Sequence, residues 1–295
     1  MSDVNQANQE KMGVQDITKQ DPHNLPLVSI ITVVFNGESE LEETIQSVIR
    51  QSYNNIEYII IDGASNDKTL DIIRRYEPQI SFWCSEKDEG IYDAMNKGIK
   101  VAQGQLIGLI NCGDTYLENA ISEVVNIYNK NIQDNPLLVI TGAMYRFDPE
   151  KNHRFRIAKS QNILDSKINR GMPINHPATF ITKDTYEKLG LFKTKYRICG
   201  DYDLVFRLYH SSLVQFVFTQ QEIANMKLGG VSEQFSSIWI RCQEHFQIRK
   251  NNLWLLHNLW ICVSFYMITA AKFILKKTLS DSLVSFYYAW RHRKK

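Results

Sequence analysis

The chain has 295 residues, with 34 Lys+Arg against 32 Asp+Glu and a formal net charge of +2. An apolar content of 44% and a charged content of 22% exclude a wholly disordered chain, a collagen and a disulfide-framed miniprotein, and near-neutrality argues against a general nucleic-acid coat. The charge is uneven: residues 241–295 hold 10 Lys+Arg and 2 Asp+Glu, which leaves the first 240 residues acidic at −6.

Residues 1–26 are polar and lack the apolar core of a signal peptide, which predicts a disordered leader. VSIITVVF (28–35) reads as a buried parallel strand. Asn36-Gly37 turns the chain, Ser39 and Glu42 form a capping-box pattern, and Leu41, Ile45, Val48 and Ile49 repeat at helical spacing. IEYIII (56–61) is a second strand ending at Asp62-Gly63, followed by a helix over Asp67 to Tyr76. ISFW (80–83) is a third strand, 89–101 a helix, LIGLI (106–110) a fourth strand, Leu117 to Tyr128 a helix and LLVIT (137–141) a fifth strand. Alternating strands and helices predict an α/β domain with a parallel sheet and right-handed crossovers. Ligands bind such sheets beyond the carboxyl ends of the strands. Those ends are polar here: Asn36, Asp62, Ser85 to Asp88 and Asn111 to Asp114.

The five cysteines (84, 112, 199, 242 and 262) include no CxxC pair, which disfavours a disulfide framework or a zinc site and fits a reducing cytosol. GxGxxG after the first strand, GxxxxGK[ST], GxSxG and HExxH do not occur. A bound nucleotide would therefore be held by carboxylates and metal, not by a glycine cradle.

Each polar strand end has an ordinary structural role beside a chemical one. Asp62 suits an Asx turn, or a hydrogen bond to a base or ribose. Asp88 suits a helix cap, with Asn96 and Lys97 on the helix beyond; Lys97 could meet a diphosphate. Asn111-Cys112-Gly113-Asp114 offers one carboxylate to a hard cation that takes its other ligands from diphosphate and water, while Asp114 also suits a helix N-cap. Gly113 leaves room for phosphate or sugar. Asp201, ahead of the apolar pattern Leu204, Val205 and Leu208, suits an N-cap or a general base. His176, before proline in a loop, suits a backbone partner or contact with donor or acceptor.

Together these segments resemble family 2 glycosyltransferases of the nucleotide-diphospho-sugar (GT-A) fold, over Val28 to about Ser232. VSIITVVFN resembles the family's opening strand and Asn turn, which places Val33 and Asn36 with the donor. IIIDGASNDKT resembles its acidic turn, with Asp62 as the nucleotide-binding carboxylate. SEKDEGIYDAMNKGI closely resembles a segment of a bacterial subgroup that builds surface polysaccharides. LINCGDTYL resembles the metal-binding DxD region, CGDYDLVFRL the catalytic-base motif and LGGVS (228–232) the close of the domain. The resemblance implies a Rossmann-like, mainly parallel sheet flanked by helices, with a C-terminal helical extension. It also implies donor contacts from Val33, Asn36, Asp62, Asp88, Asn96, Lys97, Asn111 and Gly113, a divalent cation (Mn²⁺ or Mg²⁺) on Asp114, and Asp201 as the base of an inverting single displacement. Two positions depart from the pattern. DxD reads Asn-Cys-Gly-Asp, leaving Asp114 as its one carboxylate, and the common Glu-Asp of the base motif reads Gly200-Asp201. The QxxRW motif of processive synthases is missing, since Gln243 is followed by Glu-His-Phe, which implies transfer of one sugar at a time.

The expected organisation is a leader (1–26), a glycosyltransferase domain (27–232) and a basic, aromatic helical segment (233–295). Leu253 to Leu275 is long enough to span a bilayer but contains His257, Asn258 and Lys272. The expectation is an interfacial segment on an anionic membrane surface, with a helical cap on the domain as the alternative. The protein is then a cytoplasmic enzyme, peripheral on the inner face of the membrane, with a nucleotide-diphospho-sugar donor, a lipid-linked saccharide acceptor and no nucleic-acid partner. A non-catalytic sugar-nucleotide-binding protein is the alternative suggested by the altered DxD. A nucleotidyltransferase would want a basic, glycine-rich loop where FNGESELEE is acidic.

Overall fold

Aliphatic and β-branched side chains fit the pleat of a strand buried on both faces, and the apolar runs of the N-terminal half take that form. In the computed structural model, which describes residues 10–12, 25–148, 153–229, 237–250, 258–261, 263, 264 and 267, they are β2 (Val28–Val34), β3 (Ile56–Asp62), β4 (Phe82–Ser85) and β5 (Leu106–Leu109), with β1 (Glu10–Met12) ahead of them. All seven residues of β2 are buried. β4, β3, β2 and β5 lie side by side in parallel, and the register pairs Val34 with Asp62 and Asp62 with Ser85. The polar strand ends therefore line up on one edge. The crossovers carry α1 (Leu41–Ile49), α2 (Thr69–Arg75), α3 (Ile91–Val101) and, further on, α4 (Ala120–Asn131).

Beyond β5 the sheet is mixed. β6 (Thr115–Tyr116), β7 (Leu138–Asp148), β8 (His153–Ile157), β9 (Thr179–Thr182) and β10 (Gln215–Lys227) complete it, in the order β1-β4-β3-β2-β5-β9-β7-β10-β6 with β8 on β7. The strand expected at 137–141 does not join β5. β9 lies between them, antiparallel to both, and β7 runs on to Asp148 as a parallel partner of β10. β9 is only four residues long and wholly buried, too short to announce itself by period. The helices of this part are α5 (Gln161–Lys167), α6 (Lys183–Leu189) and α7 (Gly200–Tyr209).

Two further expectations change. The Ser39–Glu42 capping box does not form: α1 has no side-chain cap, and Glu42 instead accepts bonds from Arg75 (2.9 Å) and Tyr76 (2.8 Å) on the neighbouring helix. Part of the expected disordered leader is ordered, because Glu10–Met12 pairs antiparallel with Trp83–Ser85, and the unpaired edge of a sheet is a template for such a strand. Residues 1–9 and 13–24 of the leader, Gly230 to Ser232 of the closing motif, and most of Leu253 to Leu275 with the basic tail lie outside the described residues.

The chain divides into two compact units, Met1–Leu228 and Gly229–Lys295. In the second, α8 (Ile238–Arg249) carries Arg249, whose Nε donates to Asn258 Oδ1 (3.0 Å), while Asn258 Nδ2 donates to the Phe246 carbonyl (3.0 Å). Trp239, Trp260, Val263 and Met267 are exposed there. Among the described residues no helix is long and apolar enough to cross a membrane.

Candidate active site

The loops after β2 and β3 are laced together. Asn36 has a left-handed φ of 51°; its N–H donates to Ser65 Oγ (2.7 Å) and its Oδ1 accepts from Asn66 N–H (3.0 Å). Gly37 N–H donates to Thr69 Oγ1 (2.9 Å), and Asp67 holds the start of α2 by accepting from Thr69 N–H (3.0 Å). Val33 is core, 6% exposed, and its carbonyl accepts from Cys112 N–H (3.4 Å). It offers the site a backbone and no side chain.

Asp62 is fully buried and accepts from Ser65 N–H (3.0 Å), Ser65 Oγ (2.5 Å) and Ser85 Oγ (2.6 Å). A carboxylate has about four acceptor positions, so little is left for a ligand, and the turn role is the one its bonds display. Asp88 lies beside it. Its Oδ1 accepts from Gly90 N–H (2.9 Å), and a Cβ on Gly63 would sit 2.5 Å from its Oδ2. That contact explains why a glycine follows Asp62.

Asp114 is not a helix cap. It is 6% exposed, and its Oδ1 accepts from Lys227 N–H (3.1 Å). Burial pushes its carboxyl up to about 7, with the Glu40 charge adding and Arg146 opposing. Thr44 Oγ1 clamps the turn from α1, accepting from Gly113 N–H (3.0 Å) and donating to the Asp114 carbonyl (2.8 Å). Gly113 has a φ of 93° and faces the Glu40 carboxylate, which pairs with the Lys227 ammonium. Asn111 Oδ1 is buried with no hydrogen-bond partner among the described residues. The turn thus offers one buried carboxyl driven towards its neutral form and, three residues earlier, one orphaned amide oxygen, and among the described residues no group of three or more His, Cys, Asp or Glu side chains could hold a metal ion. So sparse a set suits only a hard cation that draws its remaining ligands from diphosphate and water.

Asn96 and Lys97 are spent inside the fold. Asn96 Nδ2 donates to the Phe192 carbonyl (2.9 Å), and its Oδ1 accepts from Phe192 N–H (3.0 Å). Lys97 pairs with Glu86 (3.0 Å) and Asp93 (3.5 Å) and donates to the Lys87 carbonyl (3.1 Å). Both hold the β4–α3 segment and the 190s loop in place, a task the sequence reading did not give them.

Asp201 lies in the first turn of α7 without capping it. Its Oδ1 accepts from Tyr202 N–H (2.7 Å) and Tyr92 O–H (3.2 Å), and its Oδ2 has no hydrogen bond among the described residues. The His176 ring stands edge-on to Phe192 at 6.3 Å. Burial holds its imidazole below the usual value against the opposing charge of Asp201, so at neutral pH it is uncharged. Asn36, Asp62, Asp88 and Asn111 to Asp114 thus share the carboxyl edge of the parallel strands. Asp201 joins them through Tyr92, two residues beyond the Gly90 that binds Asp88. The sequence reading missed Tyr92, and also Phe35, whose ring is 64% exposed next to Gly63. A large bare aromatic ring at a strand end was the available signal for Phe35, since it offers a stacking face to a planar base.

A family model, "Glycosyl transferase family 2", matches residues 29–190. The chain belongs to this family. As a family 2 member it is 32% identical over 205 residues to an uncharacterized glycosyltransferase of Rickettsia typhi, with 67% of this chain and 63% of the relative covered. It is 26% identical over 212 residues to a PGL/p-HBAD biosynthesis glycosyltransferase of Mycobacterium bovis, with 70% and 79% covered. Against a relative from Rickettsia felis the match covers 76% of this chain and 40% of the relative, and across the rickettsial proteins it resembles this chain spans from about a third to somewhat under two thirds of their length. Among solved structures, S. aureus TarS superposes with a TM-score of 0.57 at 14% identity, covering 81% of this chain and 42% of TarS. TarS residues 1-349, solved in complex with UDP-GlcNAc, give 0.55, with 81% and 71% covered. These likenesses show the GT-A fold of the family 2 domain. The family match spans Asp62, Asp88, Asp114 and His176 and ends before Asp201.

Proposed function

We propose that this chain is an inverting, non-processive glycosyltransferase that moves one sugar from a nucleotide-diphospho-sugar to a lipid-linked saccharide in bacterial surface-polysaccharide synthesis. The observation that carries the reading is Asp201: one carboxylate oxygen accepts two hydrogen bonds and the other accepts none among the described residues, and the Tyr92 that reaches it stands two residues beyond the Gly90 that binds Asp88. The acceptor hydroxyl oxygen bonds to the anomeric carbon as the carbon–diphosphate bond breaks. The hydroxyl proton passes to Asp201 Oδ2, and the nucleoside diphosphate leaves from the opposite face. Asp88 and Asn36 border the donor nucleoside, with Phe35 as its stacking face, and Gly113 lets the diphosphate approach. Neutral His176 beside Asp201 can donate or accept a hydrogen bond at the sugar without adding charge. Mn²⁺ or Mg²⁺ would be held by Asp114, with Asn111 Oδ1 as the other spare oxygen of the same turn, and when bound would supply positive charge to the leaving diphosphate. The UDP-GlcNAc named for TarS makes uridine diphospho-sugars the first donors to try. The basic, aromatic C-terminal unit supports a membrane-facing placement for a lipid-linked acceptor.

The test is a panel of sugar nucleotides, each with and without Mn²⁺, read by thermal stabilisation. A ligand at a hundred times its Kd stabilises by about 2.7 kcal/mol, a shift of several degrees. One nucleotide class should stabilise strongly, and more so with Mn²⁺. No stabilisation by any sugar nucleotide would remove the donor from the proposal, and equal stabilisation without metal would remove the cation.

A further inference from the structure

The Tyr92 ring and the Gly200 backbone occupy one another's space. A Cβ built on Gly200 would lie 2.7, 2.8 and 2.9 Å from Cδ2, Cε2 and Cγ of the ring, closer than carbon atoms pack. The ring is 6% exposed and stacks on Phe192 at 5.5 Å and 23°. Phe192 is in turn fixed by the two reciprocal Asn96 bonds. So held, the hydroxyl shares its one proton between the Ile198 carbonyl (2.6 Å) and Asp201 Oδ1 (3.2 Å). Burial, with the Asp201 charge adding, pushes the phenol well above its ordinary value. It is therefore a neutral O–H donor throughout the working pH range.

We infer that Tyr92 is a positioning residue for Asp201, fixing which carboxylate oxygen faces the acceptor hydroxyl, and that position 200 is glycine because the Tyr92 ring fills the place of a side chain there. The inference rests on the reading of Asp201 as the base. Tyr92 O–H and Tyr202 N–H both donate to Oδ1, so the carboxylate cannot tilt part-way without losing two bonds, and the other oxygen is left to take the proton. The departure from the Glu-Asp pattern then has a physical cause. The space of the missing acid is taken by a ring from α3, whose hydroxyl reaches the base itself.

The test compares Tyr92→Phe, Asp201→Asn and the double variant in the full chain. It reads nucleoside-diphosphate release from the sugar nucleotide that stabilises best in the panel, together with that nucleotide's Kd. Because the hydroxyl proton is shared, its loss should lower kcat about three- to tenfold, the size of an ordinary hydrogen bond and short of a full bond to a charged group, with Kd unchanged. In the Asp201→Asn background the same substitution should have no further effect on kcat, since a group that acts only through Asp201 has nothing left to position. Gly200→Ala, which pushes the ring away, should lower kcat at least as far, and adding it to Tyr92→Ala should cost nothing more. Full kcat in Tyr92→Phe alongside an inactive Asp201→Asn overturns the positioning role alone. The same loss in both backgrounds overturns it too, by showing that the tyrosine acts on the fold. An active Asp201→Asn overturns the base and the inference together.

Discussion

Asp62 and Asp201 are both carboxylates at the end of a strand or the start of a helix, yet their bonds separate them. Asp62 has three internal donors and no exposed surface, whereas Asp201 has two donors on one oxygen and, among the described residues, none on the other. Residue type and position at a strand or helix end pointed to both; only the partners distinguish a turn-former from a group with capacity to spare. Tyr92 was not legible for a different reason. In IYDAMNKGI it is one more apolar residue at helical spacing, and its partner is 109 residues away in sequence. Glycines show the same limit. Gly98, inside α3, reads as a weak helix former whose replacement by Ala should gain about 1 kcal/mol. In the fold a Cβ there would sit 2.4 Å from Ile31 Cγ2 on β2, and overpacking costs about 1–3 kcal/mol. Gly98→Ala should therefore lower stability in urea unfolding; a rise would show that β2 and α3 can part without penalty.

At the scale of elements, long buried runs were readable and short or contested ones were not. β2, β3 and β5 follow from unbroken apolar stretches. β9 does not, because four residues carry no period, and α1 starts without its expected cap because Glu42 finds stronger partners on the Arg75–Tyr76 turn. α8 carries a liability that its sequence conceals. His245 is 7% exposed, and burial, reinforced by Arg249 and Arg241, lowers its imidazole to about 3. The unfolded chain takes up a proton near the ordinary value of about 6.5, and the folded chain does so only near 3. Stability is thus fully present above about pH 6.5 and is lost as pH falls below it, by up to about 1.4 kcal/mol per pH unit. His245→Gln should flatten the loss of melting temperature between pH 7 and pH 5, measured by circular dichroism; an unchanged slope would place the acid sensitivity elsewhere.

At the scale of the molecule, the acidic first 240 residues and the basic last 55 give the chain two electrostatic characters. A parallel run of strands in the N-terminal half with polar residues at its carboxyl edge was legible, as was the family resemblance; that the whole sheet is mixed, and not mainly parallel, was not. How β10 returns to carry Lys227 against Asp114 was not, since that contact spans 113 residues. The surplus of +8 after residue 240 should draw the protein to anionic vesicles by roughly 1 kcal/mol for each cation near the surface. Raising salt should release it, because charges separated by more than about 10 Å at 0.1 M are screened. In flotation assays, binding to phosphatidylserine-containing vesicles that falls with salt and with neutralisation of RHRKK is expected; equal binding to neutral vesicles would contradict an electrostatic anchor.

The whole account turns on the oxygen of Asp201 that no other group among the described residues engages. The direct measurement is turnover of Asp201→Asn beside its donor affinity, because asparagine keeps the shape and removes the proton acceptor. The expected result is a fall in kcat of about 10²- to 10⁴-fold with the sugar-nucleotide Kd nearly unchanged. Full turnover in that variant would contradict the account at its centre.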